Sequence, residues 1–222
     1  MKHNPSPFQL QVITDGIKQL PDLIHTVKKT LEGGADAIQL RYKSAPASDL
    51  WTIGQELLPI VQHHQRRLLI NDRIDVALAI PAHGVHLAGK SLPPKAARTI
   101  CKEPFLIGCS IHSIEEAKQA EQQGVSYITF GHIFSTKSKP GMPPRGIEAL
   151  YEVVSAISIP VFAIGGIHAD NIADVLQTGC AGIAVIGAVM NEQNPEKATY
   201  ELKNRMIACQ AKPKVTLPPY LQ

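Results

Sequence analysis

An apolar run with strand chemistry delivers a histidine into a Gly/Ser/Lys loop at Ile128-Thr-Phe-Gly-His132-Ile-Phe-Ser-Thr136-Lys-Ser-Lys139-Pro-Gly141. An intrinsic pKa of about 6.5 suits an imidazole such as His132 to removing and returning a proton at neutral pH. The plainer role for a lone histidine is a hydrogen bond to a loop carbonyl. What else converges on the same place decides between the two.

Short Val- and Ile-rich segments recur along the chain, each followed by a stretch with helical spacing. The strand candidates are Leu10–Thr14, Ala37–Arg41, Leu68–Asn71, Gly84–Leu87, Phe105–Ser110, Tyr127–Gly131, Val161–Gly165 and Ile183–Gly187. Several are apolar without alternation, as parallel strands buried on both faces require. Helical stretches include Pro21–Glu32, Asp49–His64, Ser113–Gln123, Ile147–Ile157 and Ala169–Gln177. Ser113 with Glu116 reads as a capping box, and Gly33, Gly124 and Gly179 stand where a left-handed closing residue is needed. Eight β-then-α units without a composition break predict a single-domain (β/α)8 TIM barrel over residues 1–210. A doubly wound sheet is the rival, but no G-x-G-x-x-G follows the first strand. Residues 211–222 form a Pro-containing tail, expected to be disordered or packed on a neighbouring subunit.

In such a barrel the catalytic face is the carboxyl-terminal rim of the strands. Arg41, Lys43, Asn71, Lys90, Ser110, His132 and Thr136 all fall there. The seventh and eighth rims read Ala163-Ile-Gly165-Gly166-Ile and Ala184-Val-Ile186-Gly187-Ala. Glycines at these two rims are the common phosphate cradle of the fold, although a Gly-Gly pair can also simply make a tight turn. Arg41 and Lys43 are suited to a second anion, a carboxylate or a diphosphate, or equally to surface solvation. His86 reads as a buried strand residue that hydrogen-bonds within the core. Asp72 and Asp75 could cap a helix or offer a carboxylate.

Composition narrows the function classes. A net charge of +3 on 222 residues, with dispersed basic residues, does not describe a nucleic-acid surface. No run approaches the roughly 20 apolar residues that span a bilayer, so membrane partnership is not expected. Cys101, Cys109, Cys180 and Cys209 lack a C-x-x-C pattern, which suits reduced thiols in a cytosolic protein better than a zinc cluster or disulfide framework. The expected partner is a small phosphorylated molecule, with a homo-oligomer possible.

At these residues the chain resembles the thiamine phosphate synthase and TenI superfamily. The resemblance rests on Ile38-Gln-Leu-Arg41, Leu69-Ile-Asn-Asp72-Arg-Ile-Asp75, Gly84-Val-His-Leu87, Thr129-Phe-Gly-His132-Ile-Phe and Val161-Phe-Ala-Ile-Gly165-Gly166. Two chemistries share that scaffold. A synthase joins a pyrimidine diphosphate to a thiazole phosphate with Mg²⁺, held by an aspartate matching Asp72 and a second one from a G-Q-E-D-L-P segment. This chain reads Ala88-Gly-Lys90-Ser91-Leu-Pro93 there, and Arg41-Tyr42-Lys43 where the synthase carries Arg-Glu-Lys. Synthases also read G-P-I-F followed by T-x-T-K, where this chain has Gly131-His132-Ile-Phe and Thr136-Lys-Ser-Lys139.

A histidine in place of that proline resembles the thiazole tautomerase branch. That resemblance implies a metal-independent and cofactor-free isomerase that aromatises a carboxylated thiazole phosphate, with His132 as acid/base. Gly165, Gly166, Ile186 and Gly187 would then hold the phosphate, and Arg41 and Lys43 would anchor the substrate. Asn71, Lys90, Ser110 and Thr136 would supply further contacts. The Mg²⁺-dependent synthase is the first alternative to this expectation. A non-catalytic barrel that binds thiazole or thiamine phosphate is the second.

Overall fold

Eight parallel strands close on themselves in the computed structural model, which describes residues 6–217. They are β1 (Gln9–Ile13), β2 (Ala37–Leu40), β3 (Arg67–Asn71), β4 (Gly84–Leu87), β5 (Leu106–Ile111), β6 (Tyr127–Gly131), β7 (Val161–Ile164) and β8 (Gly182–Val185). Closure comes from β8 pairing with β1 in the register Gln9↔Gly182 to Val12↔Val185. The helices are α1 (Leu20–Glu32), α2 (Ala47–His63), α3 (Ile74–Ala79), α4 (Pro94–Ile100), α5 (Ile114–Gln122), α6 (Gly146–Ala156), α7 (Ile172–Gln177), the single turn α8 (Gly187–Met190) and α9 (Pro195–Ala208). This is the expected (β/α)8 barrel.

Side chains alternate across each strand, so one set packs outward against the helices and the other fills the interior. The outward set, with Leu10, Ile38, Leu68, Val85, Ile107 and Ile183, joins the helices in the main apolar core. The inward set is mixed. Toward the amino-terminal end Ala37, Leu69, Leu106, Tyr127, Phe162 and Ala181 form a separate apolar cluster.

Above that cluster the interior is polar, and its groups are hydrogen-bonded, as burial demands. Gln11 Nε2 donates to Gln39 Oε1 at 3.3 Å, and Gln39 Nε2 donates to Asn71 Oδ1 at 3.4 Å. Across the barrel His86 Nδ1 meets the Tyr127 hydroxyl at 3.1 Å, and His86 Nε2 meets Ser110 Oγ at 2.9 Å. Gly108 makes room for this group, because a Cβ there would stand 2.6 Å from His86 Nδ1.

Local chemistry departs from expectation in two places. Ser113 Oγ accepts the Glu116 N–H at 3.2 Å, but the Glu116 carboxylate takes the His112 N–H at 2.6 Å. The cap is therefore half of a capping box, displaced by one residue. Gly124 and Gly179 do close their helices at φ +78° and +79°. At the end of α1, however, the left-handed residue is Gly34 at φ +100°, while Gly33 lies in the right-handed region. Gly33 is needed for a different reason: a Cβ would lie 2.5 Å from the Glu196 carbonyl, where α9 crosses α1.

Residues 211–217 pack on their own barrel. Lys214 N–H donates to the Gly179 carbonyl, and Lys214 Nζ donates to the carbonyls of Val154, Ser155 and Ile157 at 2.8–3.0 Å, closing the end of α6. Leu217, 4% exposed, completes the apolar cluster at the amino-terminal mouth. Residues 218–222 of the expected tail lie outside the described residues. Among the described residues no helix is long and apolar enough to cross a membrane.

Candidate active site

The loop after β6 folds back over the rim and is tied at both ends. Arg145 N–H donates to the His132 carbonyl at 2.9 Å, and Arg145 Nε to the Gly131 carbonyl at 3.1 Å. Ile133 and Phe134 donate to the carbonyls of Ile164 and Gly165, each at 3.0 Å. His132 sits inside this fold, 4% exposed, with Nε2 at 3.2 Å from the Met142 carbonyl oxygen. A carbonyl only accepts, so Nε2 carries the proton in this bond. Nδ1 is buried and has no partner among the described residues. The imidazole therefore holds the loop through Nε2.

Gly165 and Gly166 follow β7 at φ +102° and +69°. A Cβ on Gly165 would fall 2.7 Å from His132 Cα, and one on Gly166 would fall 2.6 Å from the Ser135 carbonyl oxygen. The pair is thus what lets the His132 loop lie against the seventh rim. Because β7 pairs with β8 in the register Ile164↔Ala184, Ile186 and Gly187 stand beside them. The Ile186 carbonyl accepts from Val189 and Met190 as α8 begins at Gly187. Backbone of the two rims is close-set there, with glycine at three of the four positions, the residue type a phosphate cradle uses in this fold.

On the opposite rim Asp72 occupies the left-handed region at φ +62°, which swings its carboxylate toward the β4 loop. One oxygen accepts Asn71 Nδ2 at 2.6 Å; the other accepts the Ala88 N–H at 3.1 Å and a short hydrogen bond from the Ser91 hydroxyl. Arg41 is near enough for the Asp72 charge to act on it. Burial pulls the guanidinium below its ordinary pKa, and the carboxylate opposes that pull. Thr14 fixes this segment, its hydroxyl donating to the Arg41 carbonyl at 3.0 Å and accepting the Arg41 N–H at 2.8 Å.

The remaining expected residues divide. Lys43 and Lys90 are on the rim but exposed, and no hydrogen bond or ion pair holds either among the described residues. Ser110 is brought into the interior network through His86 and Thr129. Thr136 organises its own turn, its hydroxyl accepting the Ser138 N–H at 3.3 Å and its carbonyl the Lys139 N–H at 3.2 Å.

Sequence reasoning passed over Lys139. This half-buried ammonium lies close enough to His112 that, after burial, it is the next cause of that imidazole's lowered pKa. The signal for it was the Thr136-Lys-Ser-Lys139 spacing. Reasoning also gave no role to Gln39, which joins the β1 side of the interior to Asn71. Asp75 pairs with its neighbour Arg73, so of the two carboxylates only Asp72 faces the site.

A divalent cation would find hard oxygen donors at Asp72 and Ser91. No group of three His, Cys, Asp or Glu side chains forms a metal site among the described residues, so no all-protein cage exists. Mg²⁺ is commonly held by one or two carboxylates with substrate phosphates and water completing its shell. The Asp72–Ser91 pair fits that arrangement with a single carboxylate.

Residues 10–189 match the family described as "Thiamine monophosphate synthase". The "Thiamine-phosphate synthase" of Pyrococcus furiosus is 43% identical over 196 residues, covering 88% of this chain and 93% of that protein. The protein of that name from Roseiflexus castenholzii is 41% identical over 209 residues, covering 90% of each chain. A solved "Thiamine phosphate pyrophosphorylase" from Pyrococcus furiosus superposes with a TM-score of 0.81 at 40% identity, over 90% of this chain and 96% of that one. These similarities overturn the expected thiazole tautomerase, and with it the isomerase class, since the relatives are named as synthases. By profile, identity and superposition alike, this chain belongs to the thiamine monophosphate synthase family.

Proposed function

We propose that the chain couples a pyrimidine diphosphate to a thiazole phosphate, as a thiamine-phosphate synthase. The observation that carries this reading is the Asp72 carboxylate set beside the half-desolvated Arg41 guanidinium on the rim. A metal-competent carboxylate next to a fixed cation is the pairing that a diphosphate group requires, and proton transfer within a thiazole does not require it.

In the coupling, the ring nitrogen of the thiazole forms a bond to the exocyclic methylene carbon of the pyrimidine. The carbon–oxygen bond breaks, and its electron pair leaves with the diphosphate. No proton is taken from carbon, so no free imidazole is needed. Arg41 and Lys43 hold the departing diphosphate, with Lys90 and Lys139 adding positive potential at the same rim. Asp72 and Ser91 would hold Mg²⁺, which when bound neutralises charge on the diphosphate. Gly165, Gly166, Ile186 and Gly187 hold the thiazole phosphate through backbone, and the loop of Thr136 and Ser138 covers it. Asn71 and Ser110, each fixed by the interior network, orient the pyrimidine ring. With both substrates anchored, the attacking nitrogen is held near the methylene carbon, which converts much of the entropy cost into binding.

The test is direct. Purified protein mixed with both substrates and Mg²⁺ releases diphosphate and forms thiamine phosphate in equal amounts. Absence of product under those conditions rejects the proposal.

A further inference from the structure

His86 is a buried imidazole to which the proposed coupling gives no part, and the hydrogen bonds that reach it run through the barrel interior in one direction. The direction starts at Asp72. A carboxylate only accepts, so Asn71 presents its amide nitrogen to Asp72 at 2.6 Å and turns Oδ1 toward the interior. Gln39 must then donate Nε2 to Asn71 Oδ1 at 3.4 Å, which leaves Gln39 Oε1 to accept Gln11 Nε2 at 3.3 Å. Amides whose nitrogen and oxygen ends are interchangeable in isolation are thus oriented by one charged group.

The same direction continues to the far side of the barrel. Burial pushes the Tyr127 pKa up, and a hydrogen bond from Gln11 opposes that push, as a donor to the phenol oxygen does. The Tyr127 proton is itself buried and needs an acceptor; among the described residues the acceptor bonded to it is His86 Nδ1, at 3.1 Å. An imidazole whose Nδ1 accepts carries its single hydrogen on Nε2. That hydrogen faces Ser110 Oγ at 2.9 Å, with Thr129 Oγ1 further off at 3.4 Å. Ser110 accepts from below and keeps its own hydroxyl hydrogen to give. Half-buried at the rim end of the interior, it can direct that hydrogen to Thr129 Oγ1 at 3.3 Å or to a substrate atom seated above.

We propose that His86, locked in the Nε2–H form by this hydrogen-bond series, is a positioning residue of the site: it makes Ser110 a donor, so that a lone-pair atom of the pyrimidine diphosphate is favoured there over an N–H group. The proposal rests on the coupling reaction as the activity of the chain. It also ties the two sides of the rim together, because the carboxylate on β3 sets which way the hydroxyl on β5 points.

The tautomer can be read by nuclear magnetic resonance in the full chain carrying isotope-labelled histidine at neutral pH, with His86 identified by through-bond correlation to its own backbone. A pyridine-type Nδ1 and a pyrrole-type Nε2 are expected; a protonated Nδ1, or a mixture of both tautomers, overturns the proposal whether or not substrate turns over. Kinetics test the consequence. Tyr127→Phe keeps the ring and removes the donor that holds Nδ1, so KM for the pyrimidine diphosphate should rise about fivefold while KM for the thiazole phosphate stays within about twofold. His86→Leu should widen that split to about 30-fold, and His86→Gln, able to accept from Tyr127 and donate to Ser110, should recover most of it. Equal changes in both KM values, or none in Tyr127→Phe, overturn the positioning role, and the tautomer and Tyr127→Phe measurements stand even if a His86 variant fails to fold. The Nε2–H form in a chain that couples nothing overturns the synthase reading, and with it the substrate named here, while the locked tautomer stands.

Discussion

His132 Nε2 and the Met142 carbonyl oxygen are 3.2 Å apart, which makes the imidazole a strut between the base and the crest of one rim loop. The proposed coupling moves no proton, so loss of the strut should loosen the loop and leave the chemical step intact. His132→Asn is expected to raise KM for the thiazole phosphate about tenfold while kcat stays within about threefold. Steady-state kinetics separate the two parameters, and limited proteolysis between Lys137 and Arg145 should become faster. A large fall in kcat at unchanged KM would return His132 to the chemistry.

Asp72 offers the one carboxylate at the proposed cation position, with the Ser91 hydroxyl bonded to it. Asp72→Asn keeps the shape and removes the charge, so kcat/KM should fall about 100-fold or more and the response to Mg²⁺ should flatten. Ser91→Asp sets a second carboxylate against the first. In EDTA the two repel and Tm should drop; added Mg²⁺ should restore it and saturate at lower concentration than in the unsubstituted protein. Calorimetric melts with and without metal read this apart from turnover.

The barrel was legible because periodicity and strand composition are local, and each β-then-α unit carries its own signal. Strand ends moved by one or two residues, as at β1 and β8, where the sheet register and not side-chain type sets the boundary. The rim inventory was legible for the same reason, since in this fold a strand end is a place. Roles were not. Whether His132 faces solvent or a loop carbonyl depends on how residues 133–145 fold back, and that depends on Gly165 and Gly166, one helix and one strand further along the chain. Likewise Ser91 read as a lost acid, when its hydroxyl in fact serves the acid that remains. The interior network of Gln11, Gln39, His86 and Tyr127 was hidden because each residue looks like an isolated polar interruption of an apolar strand.

Gly165 and Gly166 give a prediction that does not depend on ligand. Both have positive φ, and a Cβ on either would meet atoms of the His132 loop at 2.3–2.7 Å. Alanine at either position combines backbone strain with overpacking, and each change should cost about 3 kcal/mol or more. For a chain of this length that is a Tm fall of about 6–12 °C, measurable by calorimetry. Gly141, also at positive φ but with nothing near its Cβ, isolates the backbone part: its alanine variant should lose about 1 kcal/mol.

His86 sets the acid limit of the fold. Burial is the main cause that pushes its pKa down to about 4, with the Arg41 charge adding to it and Asp72 opposing it. A depressed imidazole pKa means that the unfolded chain binds the proton first. Stability is therefore full above about pH 6.5 and falls as the pH drops from about 6.5 toward 4. The loss over that window is on the order of 3 kcal/mol, and below it this group contributes no further slope. Protonation would also oblige His86 to donate at both nitrogens, turning the hydroxyls of Tyr127 and Ser110 into acceptors at once. Urea melts at a series of pH values measure the slope directly. His86→Gln keeps a donor and an acceptor in the interior without a titrating group, so its melts should show a shallower slope across the same window, with the remainder from His83 and His112, whose pKa values burial also lowers; an unchanged slope would assign the acid sensitivity to those groups.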